Sequence, residues 1–366
     1  MMKIKIGNRL VGDDEPCFII AEAGVNHNGE IDIAKKLVDA AKSSGSDAVK
    51  FQTFKSEKIV TPYVKQAKYQ VENIGKKESQ YEMLRRLELN YDDFRELKDY
   101  CVKKGITFLS APHSCKEDVD LVAELCPAIK VPSGDLTNLP ILKYMAGKQM
   151  PIILSTGMST MEEVKDAVNL ILSTNKQLIL LHCTTNYPTT LNEVNLKAMN
   201  SMKKFGLPVG YSDHTIGINI SAAAVALGAC VIEKHFTLDK NMEGPDHKAS
   251  LEPHELKQMI SDIRDVEQKL KKGIIEEDIV KELGVYDALG DGIKKPTKSE
   301  LETMKVARKS IVAACDIESG TVITEDMLAI KRPGTGLSPK YYWDLIGKRV
   351  KTDIKQDELI IWNKIE

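Results

Sequence analysis

The chain has 366 residues, 42% of them hydrophobic, and a formal net charge of −2. That is material for one large barrel plus a small module, or for two domains of about 150 residues each, and it leaves no general basic footprint for nucleic acid. No apolar run reaches the ~18 residues of a membrane span. The Met1–Lys5 start lacks the apolar core of a secretory signal, and seven scattered cysteines with no Cys-x-x-Cys pair predict a reducing, cytoplasmic setting rather than a disulfide frame or zinc knuckle.

In chain order, residues 1–14 read as a short hairpin, Lys3–Ile6 and Arg9–Val11 about Gly7-Asn8. From Cys17, short apolar runs alternate with longer amphipathic segments for about 250 residues, the pattern of repeated βα units. Strands are expected at Phe18–Ala21, Ala48–Phe51, Thr107–Leu109, Ala128–Val131, Pro151–Leu154, Leu178–Leu181, Pro208–Gly210 and Cys230–Glu233. Helices are expected near Ile31–Ser44, Tyr91–Lys104, Lys116–Leu125, Leu139–Ala146, Met161–Ser173, Leu196–Phe205, Gly217–Leu227 and His254–Lys271. Thr160-Met161-Glu162-Glu163 has the form of a capping box.

These repeats predict a (β/α)₈ TIM barrel over residues 1–271. A doubly wound sheet is the alternative, weakened because polar clusters follow nearly every strand rather than one switch point. Residues 53–90, polar and Lys/Glu-rich, interrupt the rhythm and read either as a lid or as an ordinary surface insertion. Residues 272–305 are charged and glycine-containing, a linker. Residues 306–366 carry short apolar runs between turn residues, a β-rich module with a limited core of its own.

The chemistry lies at the strand ends, where barrels bind ligands. Glu22, beside Asn26-His27-Asn28-Gly29, is a candidate general base or a capping carboxylate. Lys50 and Lys130 lie inside apolar strands, where lysine calls for an anionic partner. Ser133-Gly134 and Ser155-Thr156-Gly157 offer backbone N–H groups to an anion. Together they describe a phosphate or carboxylate pocket, with no Walker loop or Gly-x-Gly-x-x-Gly to suggest a nucleotide there. Asn186 and Tyr187 present amide and phenol groups to a polyhydroxylated substrate, and Asp246, in Gly244-Pro245-Asp246-His247, is a turn cap or a sugar contact. His214 and His235 end successive strands and suggest a divalent metal site with open positions.

In order, Glu-Ala-Gly-Val-Asn-His-Asn-Gly, Lys-Phe-Gln-Thr, Pro-Ser-Gly-Asp, Ser-Thr-Gly-Met, Gly-Tyr-Ser-Asp-His-Thr, Glu-Lys-His-Phe-Thr-Leu and Gly-Pro-Asp-His resemble the sialic acid synthase family, and Arg-Lys-Ser-Ile and Lys-Arg-Pro-Gly resemble its antifreeze-like (SAF) module. The resemblance implies condensation of phosphoenolpyruvate with an N-acetylated amino sugar of mannose type, with carbon–oxygen cleavage and release of phosphate. It implies a divalent metal, commonly manganese with magnesium or cobalt as alternatives, on His214 and His235, and water activation by Glu22. Lys50, Ser110, Lys130, Ser133, Ser155, Asn186 and Ser212 would hold phosphoenolpyruvate. Gln52, Asp135, Tyr187 and Asp246 would face the sugar. Arg308 would reach the N-acetyl group across a domain-swapped homodimer. N-acetylneuraminate and N,N'-diacetyllegionaminate synthesis are both compatible with the motifs. A pseudaminate synthase or another metal-dependent barrel aldolase is the alternative.

Overall fold

The computed structural model describes residues 2–113 and 115–366. Strands β1 (Lys3–Ile6) and β2 (Arg9–Gly12) form the expected hairpin, Ile6 opposite Arg9. Then come β3 (Phe18–Gly24), β4 (Ala48–Thr53), β5 (Thr107–Pro112), β6 (Ile129–Val131), β7 (Ile152–Ser155), β8 (Leu178–Cys183), β9 (Val209–Asp213) and β10 (Val231–His235). They form one eight-stranded sheet in the order β5-β4-β3-β10-β9-β8-β7-β6, parallel at every hydrogen-bonded pair, with β5 and β6 in contact where it closes. This is the TIM barrel that the βα repeat predicts. Most barrel strands are buried along their full length because side chains fill the interior and helices cover the outside.

The helices follow local chemistry. Ile31–Ser44 turns Ala34, Leu37, Val38 and Ala41 inward at helical spacing and stops at Gly45, whose φ of 89° suits a residue without a Cβ. Met161–Leu172 starts at Thr160, whose hydroxyl accepts from the Glu163 N–H while the Glu163 carboxylate accepts from the Thr160 N–H. The helix expected at Leu196–Phe205 is shorter, Ala198–Lys203, and a separate turn, Leu191–Val194, precedes it.

Residues 53–90 are a folded roof. Short helices at Ser56–Ile59, Lys68–Ile74 and Gln80–Arg86 enclose an apolar cluster of Phe54, Ile59, Val60, Val64, Met83, Leu84 and Leu87, joined by Val25. The stretch 272–305 is also structured. Helix Glu276–Glu282 sends Ile279 and Val280 into the barrel's apolar core, Ala288 and Leu289 follow, and helix Glu300–Ala307 leads into the C-terminal module. There β11 (Ser310–Ala313) pairs antiparallel with β12 (Leu328–Lys331) over a core that includes Ile311, Leu345, Ile354 and Ile360. The module packs on the barrel of its own chain. Its contacts include Lys309 to Asp135, both buried, and a bridge between Arg332 and Val60 in the roof.

Candidate active site

Register alone brings the reactive groups level. Across β3, Glu22 stands beside Lys50 of β4 on one side and His235 of β10 on the other. Their side chains line one cavity of about 140 Å³ at the carboxyl ends of the strands, with the roof above.

At its base is a buried charge quartet. Lys50 Nζ lies 2.8 Å from Glu22 and 3.5 Å from Glu233; Lys130 Nζ lies 3.3 Å from Glu233 and donates to Ser155 Oγ at 2.7 Å. Ser212 Oγ donates to Glu233 at 2.9 Å. Burial pushes Glu22 above the ordinary carboxylate range, only partly offset by Lys50. Burial would also raise Glu233, but Lys130 and Lys50 outweigh it and hold that carboxyl below the ordinary range. One carboxylate is therefore a permanent counter-ion for the lysines, and the other is poised to take up a proton. Beside them Ser133 Oγ accepts from the Gly157 N–H at 3.0 Å. A Cβ at Gly157 would run into Thr185, Ser133 and Cys183, so this turn needs glycine for space.

The two imidazoles are held neutral. His214 Nδ1 faces the Thr184 carbonyl at 2.6 Å and must donate to it, which leaves the Nε2 lone pair facing the cavity, 3.1 Å from the Tyr187 hydroxyl. Burial lowers His214 to about 4 and His235 well below its ordinary value. The rings are 5.7 Å apart between centroids, and buried His235 Nδ1 has no hydrogen-bond partner. Behind them, Lys234 Nζ pairs with Asp213 at 2.9 Å and donates to the Thr215 carbonyl at 2.6 Å, tying the His214 loop to β10. Two neutral nitrogen donors with an orphaned ring nitrogen suit a divalent cation. No cluster of three or more His, Cys, Asp or Glu ligands exists among the described residues, so further ligands would come from water or substrate.

On the far side, Tyr187 packs 4.2 Å from the His214 ring and 5.1 Å from Tyr69 of the roof. Asp246 lines the cavity and burial raises it to about 6. Arg332, carried in from the module, donates to Gln80 at 3.0 Å while its buried Nε has no partner.

A model of the NeuB family matches residues 37–275, and a SAF-domain model matches residues 308–366. The chain belongs to the NeuB family. It is 49% identical to the N,N'-diacetyllegionaminic acid synthase of Campylobacter jejuni, over 94% of this chain and 98% of that one. It is 42% identical to the enzyme of the same name from Legionella pneumophila, over 97% and 96%. The crystal structure of the spore coat polysaccharide biosynthesis protein SpsE from Bacillus subtilis superposes with a TM-score of 0.84 at 35% identity, covering 100% of this chain and 99% of that one.

Of the residues expected in the NeuB-family site, Glu22, Lys50, Gln52, Lys130, Ser133 and Ser155 line the cavity. So do Tyr187, Ser212, His214, His235 and Asp246. Four others are engaged elsewhere. Ser110 is buried behind the wall, bonded to Thr53 Oγ1 at 2.7 Å and the Phe51 carbonyl at 3.2 Å. Asn186 donates to the Pro188 carbonyl at 3.0 Å, bracing its own turn. Asp135 is already paired: both oxygens accept from Lys309 Nζ, at 2.7 and 2.8 Å. Arg308 is engaged within its own chain: its guanidinium forks onto Glu163 at 2.8 Å and donates to the Met158 carbonyl at 2.6 Å. The arginine that enters the cavity is Arg332. Sequence reasoning also passed over Glu233, although it lies two residues before His235 and therefore on the same face of β10. His113, at the cavity wall, was missed as well, and no period or motif marks it.

Proposed function

We propose that this NeuB-family chain condenses phosphoenolpyruvate with a 2-acetamido mannose-type sugar and water, giving a nine-carbon sialic-acid-type product and inorganic phosphate. The observation that carries this reading is the pair of neutral imidazoles, His214 and His235, facing the lysine–carboxylate quartet within one roofed cavity. A three-carbon substrate with two anionic groups, a carboxylate and a phosphate, suits Lys50, Lys130, Ser155 and Ser212, and a hydroxylated partner suits Tyr187, Asp246 and Arg332. The two legionaminic acid synthase relatives favour 2,4-diacetamido-2,4,6-trideoxymannose as the sugar and N,N'-diacetyllegionaminate as the product.

In this mechanism Lys50 and Lys130 hold the phosphate and carboxylate while carbon 3 of phosphoenolpyruvate bonds to the aldehyde carbon. A divalent cation on the two imidazoles, manganese or alternatively magnesium or cobalt, would polarise that aldehyde. Positive charge develops at carbon 2, water adds there, and Glu22, whose raised proton affinity suits the task, accepts the water's proton. The carbon 2 hydroxyl of the tetrahedral adduct then gives up its proton as the carbonyl forms and the carbon–oxygen bond breaks, the electron pair leaving on phosphate. Of the water's two protons, one ends on the former aldehyde oxygen, now a hydroxyl, and the other on phosphate. Glu233 keeps the lysines charged and fixed before substrate arrives. A homodimer and a cytoplasmic setting belong to the same reading, with each module seated on the barrel of its own chain through Lys309–Asp135 and Arg332–Val60. No described helix is long and apolar enough to cross a membrane.

The test is phosphate release from phosphoenolpyruvate with manganese, run in parallel on N-acetylmannosamine and on 2,4-diacetamido-2,4,6-trideoxymannose. The diacetamido sugar should lead by at least about tenfold in kcat/KM, about 1.4 kcal/mol at the transition state. No phosphate release with either sugar, together with indifference to a chelator, refutes the reading.

A further inference from the structure

A second cavity, larger than the first, lies in the cleft between barrel and module. It encloses about 910 Å³, at the upper end of the size of ligand sites. One wall is the barrel helices Lys116–Leu125 and Leu139–Gly147; the other is β12 with Tyr342 and Trp343. Nothing in the proposed condensation uses it.

Its lining combines cations and flat rings. Lys148 and Lys331 are neutralised by Asp120 at 2.5 Å and Asp357 at 2.6 Å, and Lys58 by Glu117 at 3.5 Å. Lys116 and Lys143 stand over ring faces, Tyr144 and Trp343, each 5.4 Å from the centroid, and Lys148 shares the Tyr144 ring at 4.6 Å. Both ammonium groups can turn to a phosphate, and Lys143 in doing so leaves the Trp343 face for a planar group to cover. Asn138 marks the cleft from the inside. It is 3% exposed, its Nδ2 donates to Asp135 at 2.8 Å, and its Oδ1 is buried with no partner. The carboxylate fixes the amide's orientation, so the orphan is an acceptor that needs a donor.

The geometry points to a binding site for a nucleotide, a ligand with a planar ring, donors for Asn138 and a phosphate for Lys116 and Lys143, acting as an effector. The cleft touches both ends of the module's attachment to the active site. Asn138 bonds Asp135, which holds Lys309; Lys331 precedes Arg332, whose backbone N–H and carbonyl pair with Ile59 and Thr61 of the roof. Occupancy there bears on the seating of Arg332 in the catalytic cavity.

The experiment uses the full chain with Trp362→Phe, leaving Trp343 as the reporter, titrated with AMP, GMP, CMP and UMP, their nucleosides and inorganic phosphate. At least one nucleotide should quench saturably, bind at least about tenfold more tightly than its nucleoside or phosphate alone, and shift the KM for the sugar. Lys116→Ala/Lys143→Ala should weaken that binding at least about tenfold and leave basal turnover unchanged; Lys143→Glu, a second exposed-site change, should do likewise. Failure of all four nucleotides to bind overturns the site, as does equal binding by the variants or by inorganic phosphate. A nucleotide that binds without moving KM overturns the effector role. The binding arm contains neither phosphoenolpyruvate nor sugar, so its outcome is separate from that of the proposed condensation.

Discussion

Asp246→Asn tests whether this carboxylate is held for substrate at the expense of the fold. The group lines the catalytic cavity, and burial lifts its pKa from 3.8 to about 6 with no compensating partner. Well above pH 6 the carboxyl is ionised in both folded and unfolded chains, and the folded chain carries the whole desolvation cost. At about 1.4 kcal/mol per pKa unit, the rise from 3.8 to about 6 amounts to about 3 kcal/mol. As pH falls through about 6, the native state takes up a proton that the unfolded chain still lacks, so the cost fades and is gone below the unfolded pKa. The asparagine variant has no such charge. It should be more stable than the parent by up to about 3 kcal/mol at about pH 8, and the advantage should shrink to about 0.5 kcal/mol by about pH 4. Parallel urea unfolding of the two proteins across that range isolates the residue, since every other titration cancels in the difference. Turnover with the amino sugar should fall because the anionic acceptor is lost. A variant less stable at about pH 8, or a difference that does not change with pH, would refute the claim of an uncompensated carboxylate.

The other expectations separate the site from its scaffold. Glu22→Gln should abolish phosphate release while leaving phosphoenolpyruvate binding by calorimetry intact, and in the parent kcat/KM should fall on acidification at a pH above the ordinary carboxylate range, because the protonated form cannot accept from water. Arg332→Ala should raise the KM for the sugar by about 10- to 100-fold, the loss of one charged hydrogen bond; Arg308→Ala should leave steady-state kinetics near the parent and lower the melting temperature through the lost Glu163 fork. Lys309→Met strands the buried Asp135 and should destabilise by about 3–5 kcal/mol, with Asp135→Asn restoring part of the loss in thermal unfolding of the double variant. Gly157→Ala should suppress phosphoenolpyruvate binding, since its Cβ has no room beside Ser133 and Thr185.

What could be read from the sequence was what local periodicity and strand register determine. The barrel strands fall where apolar runs predict them, and Glu22, Lys50 and His235 meet because parallel register sets them side by side. The roof and the stretch 272–305 were harder, since their apolar residues are sparse in sequence and cluster only when short helices fold onto a ready-made surface. Asp135 and the module's arginines depend on partners far away in the chain. At the strand end, Ser133-Gly134-Asp135 has the composition of a substrate contact, and only a lysine 174 residues later reveals that its charge is already neutralised. Arg308 and Arg332 are equally eligible as cations in turn-flanked segments. The difference is that Glu163 is 145 residues from the first, and Gln80 252 residues from the second. Glu163 carries two duties, capping its own helix and holding Arg308, and only the first is local enough to be written in a four-residue motif. A side chain whose position follows from its own strand can be assigned from sequence, whereas one delivered by a separate module is assigned by whichever partner captures its charge first.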